Sequence, residues 1–309
     1  MTDAPNTLPA CHVALLGYGT VGTSIHRLLV EHREHIRHAT GRDVDVTSAL
    51  VRDASLPRAE LTGAGSSMQL IDTADELFAS KPDLICEVLG GLEPARTLVL
   101  RALEAGIPVV TANKQLVARH GIELFAAAAA SGTQLRFEAS VCGAIPVVRM
   151  LRESLAAARI DEVLGILNGT TNFMLGGMID EGMGYDEALA QAQELGYAEP
   201  DPTDDVTGLD AAAKLAILAG IAFHTRASID DITTSGITGL TADDATYAAA
   251  LNCRIKLIGR AQRTKRGGML LEVAPTLVPL SHPLAPVSGA TYAVLVRGAT
   301  FRELMVQGP

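Results

Sequence analysis

Basic side chains are in short supply. Lys and Arg total 25 against 35 Asp and Glu, a formal net charge of −10 at pH 7. Binding a phosphate backbone needs clustered Lys and Arg, so nucleic acid is not an expected partner. Cysteine is scarce as well. Cys11, Cys86, Cys142 and Cys253 are isolated and form no Cys-x-x-Cys spacing. That argues against a zinc site and fits a reducing, cytoplasmic compartment. Long apolar runs are missing: no uncharged stretch with membrane character reaches the roughly 18 residues of a spanning helix. The alanines at 126–130 are too few and too weakly apolar. Residues 1–10 have no basic patch and no apolar run, so they read as a loose tail and not as a signal peptide. No internal repeat or low-complexity linker stands out.

What the chain does have is 48% hydrophobic residues over 309 positions, ample for two domains or one large one. The short apolar run His12-Val13-Ala14-Leu15-Leu16 meets Gly17-Tyr18-Gly19-Thr20-Val21-Gly22. A helical pattern follows through Ile25, Leu28 and Leu29 to about His38. Strand, glycine turn and helix in that order are the context that gives a GxGxxG motif meaning. Gly17 permits the tight turn, Gly19 lets the backbone approach a pyrophosphate, and Gly22 lets helix and strand pack closely. The helix N-terminus, at Thr20 and Val21, then offers N–H groups and a positive dipole end to the phosphates. A dinucleotide cofactor is the expectation.

The next strand, 44–51, ends in Val51-Arg52-Asp53, with Arg58 close behind. An acidic residue at that end grips the ribose 2′-hydroxyl of NAD, and an arginine accommodates the 2′-phosphate of NADP. Arg52 comes first, which favours NADP and leaves NAD possible; both residues could equally be loop charges. The alternation continues with a Gly/Ser-rich connection over 61–70, a helix over 73–79 and a strand over 82–89 that ends in Gly90-Gly91. Then come a helix over 94–105, a strand over 107–111, a helix over 113–131 and a strand over 134–138. Such alternation predicts a doubly wound, Rossmann-type parallel sheet. Its ligand belongs beyond the carboxyl ends of the strands, where Gly17, Arg52, Gly90 and Lys114 all fall. Lys114 is read either as a cation beside phosphates or a carboxylate, or as an ordinary helix-surface lysine.

Near Val141 the pattern changes, which sets expected domains of 1–140 for dinucleotide binding and 141–309 for catalysis and dimerisation. The second is expected to be α+β. A helix over 146–158, a strand over 161–167 and a turn over 168–172 precede helices over 173–181 and 185–195. An acidic loop over 199–205 leads into an Ala- and Leu-rich helix starting at Thr207. After Ser235-Gly236 come a polar hairpin-like stretch and a helix over 242–251. Short, turn-separated strands over 254–260, 269–273, 292–296 and 300–306 look antiparallel. On the helix from Thr207, Asp210 and Lys214 are four apart and share a face with Ile217, Leu218 and Ile221. Two readings are open: a surface i,i+4 ion pair worth a few tenths of a kcal/mol, or an inward-facing proton donor and acceptor. The cofactor motif upstream favours the second. Glu199, Asp205 and Asp210 then become candidates to pair with the ammonium of an amino-acid-like substrate. His32 and His35, among Glu31, Arg33, Glu34 and Arg37, mark a solvated helix face and no metal site. His224, behind an apolar helix, reads as a C-terminal cap.

Five segments together resemble the homoserine dehydrogenases. They are Gly17-Tyr18-Gly19-Thr20-Val21-Gly22, Gly90-Gly91-Leu92-Glu93-Pro94-Ala95, Thr111-Ala112-Asn113-Lys114, Asn168-Gly169-Thr170-Thr171-Asn172 and the run from Asp205 to Lys214. The resemblance covers roughly Val13 to the end and is to a short form, without a kinase or a C-terminal regulatory domain. It implies NAD(P)-linked interconversion of aspartate 4-semialdehyde and homoserine, on the route to threonine, methionine and isoleucine. By resemblance Lys214 is the acid/base and Asp210 and Glu199 hold the substrate. Lys114 lies at the cofactor–substrate junction and Thr170 in the substrate-contacting turn. The resemblance also implies a monovalent cation, often sodium, held near Glu138, Val141, Gly143 and Ile145, and a homodimer built on the second domain. The family continues past its last strand with a Gly-Pro-Gly-Ala-Gly turn and a helix, whereas this sequence stops at Gly308-Pro309. That keeps two alternatives in view: an inactive or sensor-type NADP-binding paralogue, or an incomplete chain.

Overall fold

The first sheet grows outward from Cys11–Leu16 (β1), whose Val13, Ala14, Leu15 and Leu16 are all buried. A strand covered on both faces reads as a continuous apolar run, the signature of parallel sheets. The structure, a computed structural model, describes residues 8–56 and 68–309. Arg58 and most of the 61–70 connection lie outside the described residues, as does most of the expected N-terminal tail. The chain divides into two compact units, Met1–Phe137 and Glu138–Pro309.

In the first unit β1 leads into helices Thr20–Glu31 (α1) and Arg33–Thr40 (α2), then strands Val44–Leu50 (β2) and Gln69–Ile71 (β3). Ala74–Ala79 (α3), Leu84–Glu87 (β4), Ala95–Glu104 (α4), Val109–Thr111 (β5), Lys114–Ala130 (α5) and Leu135–Arg136 (β6) follow. The strands form one parallel sheet in the order β3-β2-β1-β4-β5-β6. The order reverses between β1 and β4, which opens a crevice at the carboxyl ends of those two strands. Gly17 sits there with φ +103, and a Cβ on Gly22 would lie only 2.4 Å from the Gly17 carbonyl oxygen. Two helices replace the single one expected to about His38. The apolar face of α1, Ile25 and Leu29, packs on the β1–β2 core. By contrast α2 buries nothing and is fastened to β2 and its approach by ion pairs of Arg33 with Asp45 and Arg37 with Asp43. Gln69 and Leu70, expected in the connection, belong to β3 through pairing with Ser48 and Ala49.

The second unit contains Val147–Arg149 (α6), Ile160–Ile166 (β7), Gly169–Gly176 (α7), Tyr185–Glu194 (α8), Thr203–Val206 (α9) and Leu209–Phe223 (α10). Thr233–Thr234 (β8), Ala242–Ala250 (α11), Cys253–Arg263 (β9), Met269–Pro279 (β10), Tyr292–Gly298 (β11) and Leu304–Gly308 (β12) complete it. Its sheet runs β12-β11-β7-β9-β10-β8, antiparallel except where β8 meets β10. The last four strands are antiparallel as expected, and β9 and β10 pair over eleven residues each. Below the sheet lies α10, in contact with β7, β9 and β10. It is buried on nearly every side, with Ala211, Ala212, Ala213, Ala216 and Ala219 among its covered residues. Alanines let a sheet and its neighbours approach all round, so the expected single apolar stripe is instead a central helix.

Several expected boundaries move. The 168–172 segment is not a turn but the start of α7, because the Asn168 side chain accepts the Thr171 N–H as an N-cap. The helix expected over 146–158 is a short α6 that widens into a π-helical turn, Met150–Ser154. The helix expected from Thr207 begins at Leu209, after α9 and the left-handed Gly208. After Gly236 the chain forms no hairpin. Ile237 N–H donates to the Val206 carbonyl at 2.8 Å, and a Cβ on Gly236 would come within 2.1 Å of that oxygen. Among the described residues no helix is long and apolar enough to cross a membrane.

The Gly17–Gly22 approach yields a direct test. Gly22→Ala places a methyl against rigid backbone, an overpacking that costs typically 1–3 kcal/mol. A lower melting temperature for the purified variant is the expected outcome; an unchanged one would mean that α1 can shift freely.

Candidate active site

Two groups of functional side chains emerge, one in each unit. In the first unit the glycine turn ends β1 and starts α1. Gly19 is the N-cap of α1 and provides no side-chain cap, so the first-turn N–H groups are left to another acceptor. A Cβ at Gly19 would meet nothing within 4 Å, and the same holds for the left-handed Gly90 and Gly91 after β4. Thr20 and Val21 are exposed at the same helix end. Open space beside a helix N-terminus suits a pyrophosphate. This is the observation by which the residues present fit a dinucleotide.

Lys114 is the first residue of α5, half-buried at the carboxyl edge of the sheet. A feature missed in the sequence holds its neighbourhood in place. Glu87 ends β4 completely buried; its carboxylate accepts the Leu89 N–H at 2.9 Å and the Thr111 hydroxyl at 2.5 Å. Asn113 N–H donates to Thr111 Oγ1 at 3.0 Å, and its Nδ2 donates to the Gly91 carbonyl at 2.6 Å. One polar chain thus ties the loop after β4 to the start of α5. The only signal was a glutamate closing an apolar strand just before two glycines. Arg52 and Asp53 are both exposed beyond β2, and Asp53 Oδ1 accepts the N–H and hydroxyl of Ser55 at 2.9 and 2.6 Å.

The second unit brings Lys214, Asp210, Asp205 and Asn168 together. Lys214 is 7% exposed; its Nζ donates to Asp210 Oδ2 at 2.7 Å and to the Leu167 carbonyl at 2.9 Å. The Tyr292 ring centroid lies 4.9 Å from Nζ. Burial pulls the lysine pKa down, but the Asp210 carboxylate more than offsets it and the net shift is upward. Burial pushes the nearby Cys142 thiol up to about 12, so it stays protonated. The pair is therefore not the surface ion pair left open by the spacing. Asn168 donates through Nδ2 to Asp205 at 2.6 Å and to Asp210 at 2.8 Å. Asn168 and Tyr292 were overlooked as site residues; an Asn ahead of a Gly-Thr-Thr helix start was the available signal for the first.

The other expected residues are distributed differently. Thr170 is buried and its hydroxyl donates to the Tyr197 carbonyl at 2.5 Å, which ties α7 to the segment leading into α9. Glu199 is exposed on that segment. Glu138 caps α6, accepting the N–H groups of Val148 at 2.8 Å and Arg149 at 2.9 Å. The following loop turns through left-handed Cys142 and Gly143, with Val141 and Ile145 buried on either side. Among the described residues no group of three or more His, Cys, Asp or Glu side chains could hold a metal ion. His224 is the left-handed C-cap residue of α10.

Comparison with known proteins gives a consistent result. A family model described as homoserine dehydrogenase matches residues 146–309, and one described as the NAD binding domain of homoserine dehydrogenase matches 17–138. The chain is 45% identical to the homoserine dehydrogenase of Corynebacterium glutamicum over 303 residues, 97% of this chain and 67% of that protein. A homoserine dehydrogenase structure from Thiobacillus denitrificans superposes with a TM-score of 0.91 at 44% identity, covering 97% of this chain and 69% of that one. A hyperthermophilic archaeal homoserine dehydrogenase in complex with NADPH has a TM-score of 0.79 at 26% identity, covering 97% and 92%.

The Lys214 environment makes a prediction about charge. Asp210→Asn removes the main influence opposing burial, so the Lys214 pKa is expected to drop below the ordinary lysine value. Titration of the lysine side-chain NMR signal checks this; a pKa still raised would mean that Asp210 is not what holds the proton.

Proposed function

The chain belongs to the homoserine dehydrogenase family, and from that premise we propose how its residues divide the work of interconverting L-homoserine and L-aspartate 4-semialdehyde. It is an oxidoreductase acting on a CH–OH group, with an NAD(P)-binding domain. The nicotinamide, when bound, supplies or accepts hydride at the carbon that carries the reacting oxygen.

Lys214 is the proton carrier at that oxygen. One observation carries this reading: a buried ammonium has three N–H donors, and Asp210 and Leu167 occupy two. The third is left to a substrate oxygen. In aldehyde reduction Lys214 gives its proton to the nascent alkoxide; in homoserine oxidation the neutral amine takes it. Asp210 orients the lysine and favours its charged form. Asp205, Asp210 and Glu199 offer carboxylates to the substrate ammonium. Thr170, its hydroxyl proton committed to Tyr197, braces the segment that carries Glu199.

On the cofactor side Gly17, Gly19, Thr20, Val21 and Gly22 cradle the phosphates, and Gly90 leaves room beside them. Lys114 adds a point charge near the phosphates or the substrate. Asp53 is drawn back onto Ser55 while Arg52 stays exposed, which favours NADP over NAD. A monovalent cation, sodium by family resemblance, would be held by oxygens of Glu138, Val141, Gly143 and Ile145, the donor class that hard cations take. The cytoplasmic assignment rests on four cysteines that are all free. A homodimer through the second unit rests on the family resemblance.

Two outcomes test the reading. In homoserine-dependent NADP or NAD reduction, Lys214→Ala is expected to lose about 10²–10⁴ in kcat while NADPH titration by fluorescence still shows binding. Near-normal turnover in that variant would refute the assignment. The raised Lys214 pKa also fixes the pH dependence. A group held above its ordinary value is protonated at neutral pH, so kcat for aldehyde reduction stays level there and falls as pH rises through the folded pKa. For homoserine oxidation kcat climbs over the same alkaline range; parallel profiles in both directions would contradict a single proton carrier.

A further inference from the structure

Lys256 is a second buried lysine, 2% exposed, in the early part of β9. Its hydrogen bonds go to neutral oxygens: Asn172 Oδ1 at 3.0 Å and the Val287 carbonyl at 2.6 Å. Burial, helped by Arg254 and opposed by Asp180, lowers its pKa to about 8. A buried charge adds little stability over an apolar side chain of similar volume. A lysine at this position is therefore better explained by what it holds than by what it stabilises.

What it holds are two pieces of chain that frame Lys214. Asn172 belongs to α7, and its Nδ2 donates to the Gly289 carbonyl at 2.9 Å. At the first residue of the same helix the packing is so close that a Cβ on Gly169 would lie 2.8 Å from the Ala290 carbonyl oxygen. Lys256 thus clamps α7 against the 287–291 segment. Just before α7 come Leu167, whose carbonyl accepts from Lys214, and Asn168, which donates to Asp210. Just after the 287–291 segment comes Tyr292, whose ring faces Lys214.

We propose that Lys256 is a positioning residue for the reaction: by binding Asn172 and Val287 at once, it sets where the Leu167 carbonyl and the Tyr292 ring stand around the Lys214 ammonium. This rests on Lys214 being the acid/base. Displacements of about 1 Å in such a frame can cost up to 10²-fold in rate.

The test is Lys256→Met, with kcat expressed per folded molecule. The expected result is a fall of about tenfold or more in kcat, with the KM for NADP within about twofold of wild type, as the frame contains no residue of the dinucleotide-binding turn. Tyr292→Leu should also lower kcat. The double variant should fall no more than about twofold below the worse single one, because the two act along one line. A lower melting temperature with wild-type kcat would overturn the proposal, as would multiplicative effects in the double variant. If Lys256→Met does not fold, Asn172→Ala cuts the same clamp, and wild-type kcat in that variant overturns it equally. Lys214→Ala in the same assay separates the two questions: turnover surviving there would sink the acid/base reading itself, whatever Lys256 does.

Discussion

A charge removed from water must find its partner inside, and the second unit is arranged around one such pairing. Lys214 and Asp210 lie on one helix at a spacing of four, so the helix alone can bring them together. At the surface such a pair is worth little. Within a helix covered on almost every side, breaking it by removing one partner strands the other charge, a loss of several kcal/mol. The alanines of α10 make that burial possible, because they let the sheet and the neighbouring helices close over two polar side chains.

The first unit solves a different problem. Its ligand-facing end is built from absences of side chain: Gly17 and Gly22 let backbone pack closely, while Gly19, Gly90 and Gly91 leave open space where strands end. What keeps such a bare edge from collapsing is polar and hidden. Glu87, Thr111 and Asn113 fasten the loops that follow two adjacent strands. Buried networks of this kind rigidify when every member is satisfied.

How much was legible follows from how far apart the partners lie in the chain. The parallel sheet could be read because strands and helices alternate along the chain, and the glycine turn because its meaning is local. Asp210 and Lys214 were found by their spacing on one helix. Asn168 was not: its partners Asp205 and Asp210 are 37 and 42 residues away. Lys256 and Asn172, separated by 84 residues, carry no signal until the sheet brings them together. The helix expected over 146–158 was legible as helical from Val147 to Ser154, but its geometry and its end were not. Its composition suits a helix, but Glu138 holds its start and the following turn widens into π geometry. The start of α7 was mistaken for a turn because Asn and Gly favour both, and only the Asn168 cap decides between them.

Both buried lysines give one of their bonds to main-chain oxygen, Leu167 for Lys214 and Val287 for Lys256. A carbonyl of the peptide chain survives every point substitution at its own residue. Sequence drift at positions 167 and 287 can therefore alter bulk and shape while the acceptor persists. The mutational fragility of these anchors is concentrated on the residues that donate, and divergent relatives can keep the same hydrogen-bonded frame under quite different apolar side chains.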